Sequence, residues 1–173
     1  MIRTTLDKAY IKRTCRPLYG WSQATPNATF LDPAWDRSIN IYPGMVMMRG
    51  TASDTVTLGD GTGVGVGLSA LYVGGDSVDE PKEVGINAFA VWILGPDAEF
   101  EILAPAFDSS LGTWVLPTNG TELLVHYQTT GANRGKLVPA GTPNASAKPV
   151  ARLVKVNSST KITIVGLSLS SAY

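Results

Sequence analysis

One cysteine and one histidine are the only thiol and imidazole in this 173-residue chain. Cys15 alone leaves no intramolecular disulfide framework and no thiolate metal cluster. His126 alone rules out a multi-histidine metal site within one chain, and any hydrolytic triad would have to use it. No G-x-S-x-G elbow accompanies it, and in "LLVHYQ" it shares a strand face with Leu124 and Gln128. A hydrogen-bonded, structural role is therefore expected. No catalytic residue, cofactor or metal ligand set is assigned.

Charge is also scarce. Asp, Glu, Lys and Arg make up 16 % of the chain, against about 25 % in ordinary soluble domains. No run approaches the roughly 18 apolar residues of a membrane-spanning helix, and the first 30 residues hold nothing like a signal peptide. Synthesis in a cytoplasm with no membrane partner is the expectation. With 18 glycines and 11 prolines, the composition fits a turn-rich, all-β chain whose surface partly faces protein rather than water.

The net charge of zero conceals segregation. Residues 1 to 16 carry five bases against Asp7 alone, residues 17 to 130 carry thirteen acids against Arg37, Arg49 and Lys82, and residues 131 to 173 carry six bases and no acid. Such blocks either steer docking between oppositely charged surfaces or cancel locally in the fold. Neither basic end interleaves aromatics with its charges, so nucleic acid is not an expected partner.

Residues 1–37 differ from the remainder. Pro17, Pro26 and Pro33 preclude long regular elements, yet the stretch is rich in large apolar side chains, which a disordered tail usually lacks. An extended N-terminal arm is expected, lying either on another chain or back over its own domain. Tyr10, Leu18, Tyr19, Trp21, Phe30 and Trp35 are its candidate anchors, because buried aromatics dominate interface energies. Arg13 and Arg16 are candidates for bidentate carboxylate pairing.

From residue 38 to 173 the chain reads as short strands divided by turns. "SINIY", "MVMMRG", "TVTL", "INAFAVWIL", "AEFEILA", "TWVL", "ELLVHYQ", "GKLVP", "PVARLVKV" and "KITIVGLSL" follow one another without a convincing 3.6-residue apolar period. The spacing predicts a compact β-barrel or sandwich of short antiparallel strands. "AEFEILA" alternates most cleanly, with Ala98, Phe100, Ile102 and Ala104 on one face and Glu99 and Glu101 on the other.

The glycine-rich run "DGTGVGVGLSALYVGGD" raises the possibility of a phosphate loop. No lysine lies between Arg49 and Lys82, and both the Walker and dinucleotide patterns need spacings that are absent. Gly61, Gly63, Gly65 and Gly67 recur at a spacing of two, which is a strand's period. A face bare of side chains admits another backbone, or a ring such as Trp92, at close range. The acids Asp76, Asp79, Glu80 and Glu83 lack the ligand order of a calcium loop, and the alternation of Glu99 and Glu101 follows from the strand itself. Sequons at Asn27, Asn119, Asn144 and Asn157 are attributed to chance in loops rich in Asn, Ser and Thr.

The succession "IYPGMVMMRG", "DTVTLGDGTGVGVGLSALYV", "EVGINAFAVWILGPDAEFEILAPAF", "TNGTELLVHYQTTGANRGKLVP" and "PVARLVKVNSSTKITIVGLS" resembles the capsid decoration (cement) proteins of tailed bacteriophages over roughly residues 40 to 168. That resemblance implies a structural, non-enzymatic virion protein on the capsid exterior. Its implied partners are the major capsid protein and further copies of itself, with a homotrimer favoured, and its implied role is to cement neighbouring capsomers and so stabilise the head. Two rivals share the composition: another phage β-domain associated with a tail tube or fibre, and a carbohydrate-binding module presenting Trp92 or Trp114 to sugar rings.

Overall fold

The computed structural model describes residues 14–19, 22–24, 30–32, 34–36, 38–52, 54–62, 65–74 and 90–167. These residues build two six-stranded sheets. Sheet A contains β1 (Cys15–Tyr19), β8 (Glu99–Leu103), β12 (Lys161–Gly166), β11 (Ala151–Ser158), β9 (Leu124–Tyr127) and β10 (Leu137–Pro139), adjacent in that order. Sheet B runs β2 (Ser22–Ala24), β7 (Val91–Ile93), β6 (Gly65–Ser69), β4 (Val46–Arg49), β5 (Thr55–Leu58) and β3 (Phe30–Leu31). Every pairing is antiparallel except β3 with β5. Each sheet keeps two edges, so of the two expected architectures the fold is the sandwich, not a closed barrel.

Alternation decides which side chains face inward. In β8, Phe100 and Ile102 are buried while Glu99 and Glu101 are half-exposed. Ile162 and Ile164 of β12 lie opposite Ile102 and Phe100 and are also fully buried. Met45, Met47, Leu58 and Leu68 supply sheet B's share of the same core, and Trp92 packs its ring 6.5 Å from that of Phe100. Each such side chain contributes about 1.5–3 kcal/mol by leaving water. The hairpin expected around Asn157–Thr160 forms as β11–β12.

Turns are set by one recurring device. Asp36, Asp60, Asp108 and Asn119 each accept two hydrogen bonds, from the backbone N–H and the hydroxyl of the Ser or Thr two residues on. A short polar side chain that satisfies the backbone locally removes the need for a ladder partner, which suits these positions in the segments between strands.

The described strands of residues 1–37 belong to the chain's own sheets. β1 is one edge of sheet A, while β2 and β3 are the two edges of sheet B. The connection is reinforced at both ends. The Thr14 hydroxyl donates to the Pro43 carbonyl at 2.7 Å in a buried position. Asp32 is buried and accepts from Ala34 N–H at 2.8 Å and from Thr51 N–H and hydroxyl at 2.6 and 2.8 Å. An extended segment offers main-chain groups that open sheet edges can pair, and proline, which lacks an N–H, is tolerated at such an edge.

Three expected strands take other forms. "SINIY" contributes one isolated bridge, Ile41 to Val73. "TWVL" is no strand at all but an extended strap outside the sheet ladder. Of "INAFAVWIL", β7 accounts for residues 91–93, and residues 86–89 lie outside the described residues.

Candidate functional site

The polar groups that chemistry would need are engaged in holding the fold. His126 Nδ1 lies 2.7 Å from the Ser146 carbonyl. A carbonyl oxygen only accepts, so the proton is on Nδ1 and fixes the ring. The Cys15 thiol packs against the core, and burial pushes its pKa up, away from the reactive thiolate. Glu101 lies 3.5 Å from both Arg16 and Lys161, so one carboxylate joins three strands across the outer face of sheet A. Among the described residues no three His, Cys, Asp or Glu side chains converge as metal ligands. The acids at 76, 79, 80 and 83, and the glycine at 63, lie outside the described residues.

The segregated charge blocks meet inside the fold. Arg16 pairs with Glu101, Arg134 approaches Asp60 at 3.9 Å, Arg152 pairs with Glu122, and Lys161 pairs with Glu101. Each of these contacts joins a basic end of the sequence to its acidic middle. Arg134 also donates to the Leu58 carbonyl at 2.9 Å. The local cancellation is what the sandwich requires, since β1, β11 and β12 flank the acidic strand β8 or lie near it.

The glycine-rich run resolves into a turn and a strand. Gly61 adopts φ +82° in the Asp60–Thr62 turn, a conformation that favours glycine. β6 begins at Gly65, and at Gly67 a side chain would collide with the Trp92 carbonyl on β7. Close backbone approach, not phosphate binding, accounts for that glycine.

The expected arm anchors divide into groups. Tyr10, Arg13 and Trp21 lie outside the described residues, and of Phe30 only the backbone, paired with Thr55 in β3–β5, is described. Trp35 is only 3 % exposed and belongs to the chain's own core, which corrects its assignment as a partner anchor: its indole is already covered by this chain. Arg16 is exposed and finds its carboxylate in this chain, at Glu101. Leu18 and Tyr19 stay accessible, at 39 % and 73 % exposure.

A second accessible apolar pair was not anticipated as an anchor. Trp114 is fixed by its indole N–H donating to the Asp108 carbonyl at 2.9 Å and by edge-on contact with Phe107 at 5.3 Å. Val115 and Leu116, which follow, are 61 % and 40 % exposed. The signal in the sequence was three large apolar residues in a row, Trp114, Val115 and Leu116, with no polar alternation. With Trp114 half-buried and its N–H engaged, and Trp92 packed near Phe100, neither ring is displayed as a flat stacking platform for sugars.

What the described residues offer a partner is therefore a sandwich with four ion pairs between its charge blocks and two apolar pairs exposed. A sequence model of the family described as phage cement protein matches residues 1–172. The chain belongs to the phage cement protein family. No curated protein and no solved structure matches it. As a phage cement protein it is a component of the virion capsid.

Proposed function

We propose that this phage cement protein binds the outer surface of the phage head, contacts the major capsid protein and holds neighbouring capsomers together, stabilising the head. The observation that carries this reading is the family match over residues 1–172. The physical character of the surface supports it. A binder repeated over a lattice needs a stiff body and modest contacts, because many weak contacts acting together give strong retention. The paired charges and exposed apolar pairs suit contacts made by packing. The role is structural rather than catalytic, with no cofactor, and the protein acts as a homo-oligomer, a trimer being the favoured form.

The test is co-sedimentation of the purified protein with expanded, tail-free capsids, followed by heating of decorated and bare heads. Saturable binding with a raised temperature of head disruption is expected. Failure to bind tail-free capsids would overturn the proposal and favour a tail-associated role.

A further inference from the structure

The segment from Thr118 to Glu122 leads from the apolar strap to β9, and every residue of it is exposed. Within it Asn119 precedes Gly120, the sole Asn-Gly step in the chain. Asparagine is among the chemically labile residues of a protein. Its amide is lost when the next residue's main-chain nitrogen attacks the side-chain carbonyl carbon. The size of that next residue and the freedom of its nitrogen therefore decide where the loss occurs. The Gly120 N–H meets no acceptor in hydrogen-bonding geometry among the described residues. A Cβ at Gly120 would find nothing within 4 Å, so the space around it is open. Asn119 Oδ1 is held by Thr121 alone, whose N–H and hydroxyl donate at 3.2 and 2.6 Å. The Asn119 NH2 group makes no hydrogen bond among the described residues.

We propose that Asn119 is a modification site of the folded protein, where the amide is lost spontaneously to water and the asparagine becomes aspartate or isoaspartate. The Gly120 nitrogen forms a bond to Asn119 Cγ, the Cγ–Nδ2 bond breaks, and Nδ2 leaves as ammonia with the proton that Gly120 gives up. The ring so closed is a succinimide. Water opens it at either carbonyl, and opening at the main-chain carbonyl gives isoaspartate, in which the main chain runs through the former side chain. No electrons are gained or lost, and water is the co-reactant. Only the two Thr121 contacts have to be released before the Asn119–Gly120 peptide can rotate, and both are exposed. The product carries a negative charge three residues beyond Leu116 and three before Glu122, the partner of Arg152.

The fold closes this route at the other described asparagines. After Asn40, Asn133 and Asn144 the attacking nitrogen is engaged: Ile41 N–H donates to the Val73 carbonyl, Arg134 N–H to Gly131 and Ala145 N–H to Thr142. Asn157 precedes Ser158, and its own Nδ2 donates to Thr163 Oγ1 at 2.9 Å. A second copy of the turn itself makes the sharpest contrast. Asp60 accepts from the Thr62 N–H and hydroxyl at 2.9 and 2.6 Å, and Gly61 has φ +82° against +78° for Gly120. There, however, the Gly61 main chain bonds the Tyr127 hydroxyl, and a Cβ on Gly61 would meet the Thr129 side chain at 2.8 Å. The Asp60 carboxylate also has no ammonia to expel, and its charge repels an incoming amide nitrogen. One turn is locked into the sandwich and unreactive; the other is open.

Peptide mass spectrometry of the full chain, incubated folded at mildly alkaline pH, reads the site directly. The peptide holding residue 119 should lose the mass of ammonia and then gain that of water in a fraction that grows with time. A methyltransferase specific for isoaspartate should label the same peptide. Asn40, Asn133, Asn144 and Asn157 should stay intact over that period, and Gly120→Ala should slow the change at Asn119 severalfold. The same incubation in urea separates the fold's part from the sequence's. Unfolding should let the other asparagines begin to react while the rate at Asn119 stays nearly constant. An Asn119 that persists in the folded chain, or that reacts severalfold faster once unfolded, would overturn the inference, as would equal loss at folded Asn157. Capsid binding has no part in these readouts, so they hold whether or not the proposed function does.

Discussion

Gly67 of β6 lies against the main chain of Trp92 on β7, so closely that a Cβ would overlap the Trp92 carbonyl. The obstacle is backbone rather than a movable side chain. Gly67→Ala is expected to destabilise the fold by about 3 kcal/mol, the upper range for forced overpacking, and Gly67→Val by more. Thermal unfolding followed by circular dichroism reads the shift. An unchanged melting temperature for Gly67→Ala would show that the two strands have room to separate.

The contribution of the N-terminal strands follows from Trp35 and Asp32. Trp35 is in the core and its indole N–H has no hydrogen-bond partner among the described residues. Trp35→Ala should cost about 3–5 kcal/mol. Trp35→Phe should cost clearly less, since it keeps most of the buried area and removes the unpaired donor. Deleting residues 2–35 should prevent stable folding, because it removes β1, β2 and β3 together with Leu31, Asp32 and Trp35. A truncated chain with a cooperative melt near the wild-type temperature would count against this account.

The fold class was readable because alternation is a local property. In "AEFEILA" the buried and half-exposed positions of β8 follow from the sequence alone, and the β11–β12 hairpin follows from two apolar runs flanking Asn-Ser-Ser-Thr. Where β1, β2 and β3 pair was not readable. Strands of two to five residues have no side-chain code for their neighbour; the partner is whichever edge lies within reach. Hence Trp35 had the look of an interface anchor while being a core residue. "TWVL" misled in the opposite direction. A threonine and three apolar residues suit a buried strand, but Trp114 is tied to Asp108 and Phe107, which carries Val115 and Leu116 out of the ladder. Tyr19 was legible as an aromatic candidate for a partner contact, but the sheet edge on which it lies was not.

Acid should destabilise the protein through its aspartates. Burial pushes the Asp32, Asp60 and Asp108 carboxyls up, but hydrogen bonds from neighbouring N–H and hydroxyl groups outweigh it, and all three lie below the ordinary aspartate value. A carboxyl with a depressed folded pKa binds protons more weakly than in the unfolded chain. Its stabilisation is therefore fully present above the unfolded value, about 4, and is lost as pH falls through the folded one. The melting temperature should be flat above about pH 5 and fall steadily below about pH 4. Asp32→Ala removes the acceptor of the Ala34 N–H and of the Thr51 N–H and hydroxyl in part-buried contacts, so it should cost about 1.5–3 kcal/mol at neutral pH, the range for hydrogen bonds to a charged group. It should also flatten the acid limb. A melting temperature that does not fall below pH 4 would remove these carboxylates from the account.

Salt offers a last discrimination, and the pairing of charges fixes its direction. The sequence blocks alone predict strongly steered docking, with affinity falling as the Debye length shrinks from about 10 Å at 0.1 M to 3 Å at 1 M. In the folded chain Arg16, Arg134, Arg152 and Lys161 are turned toward Glu101, Asp60 and Glu122. Little uncompensated field from these groups remains to attract a shell. Retention on capsids, measured by co-sedimentation between 0.05 and about 1 M salt, should change by less than roughly threefold. It should instead respond to Val115→Asp and Tyr19→Asp, which place charge in the apolar contacts. Exposed ion pairs are worth only about 0–1 kcal/mol each, so Arg152→Ala should leave both folding and retention nearly unchanged. A steep loss of binding with salt would mean that basic groups beyond these four pairs meet the shell, and packing would no longer explain the grip.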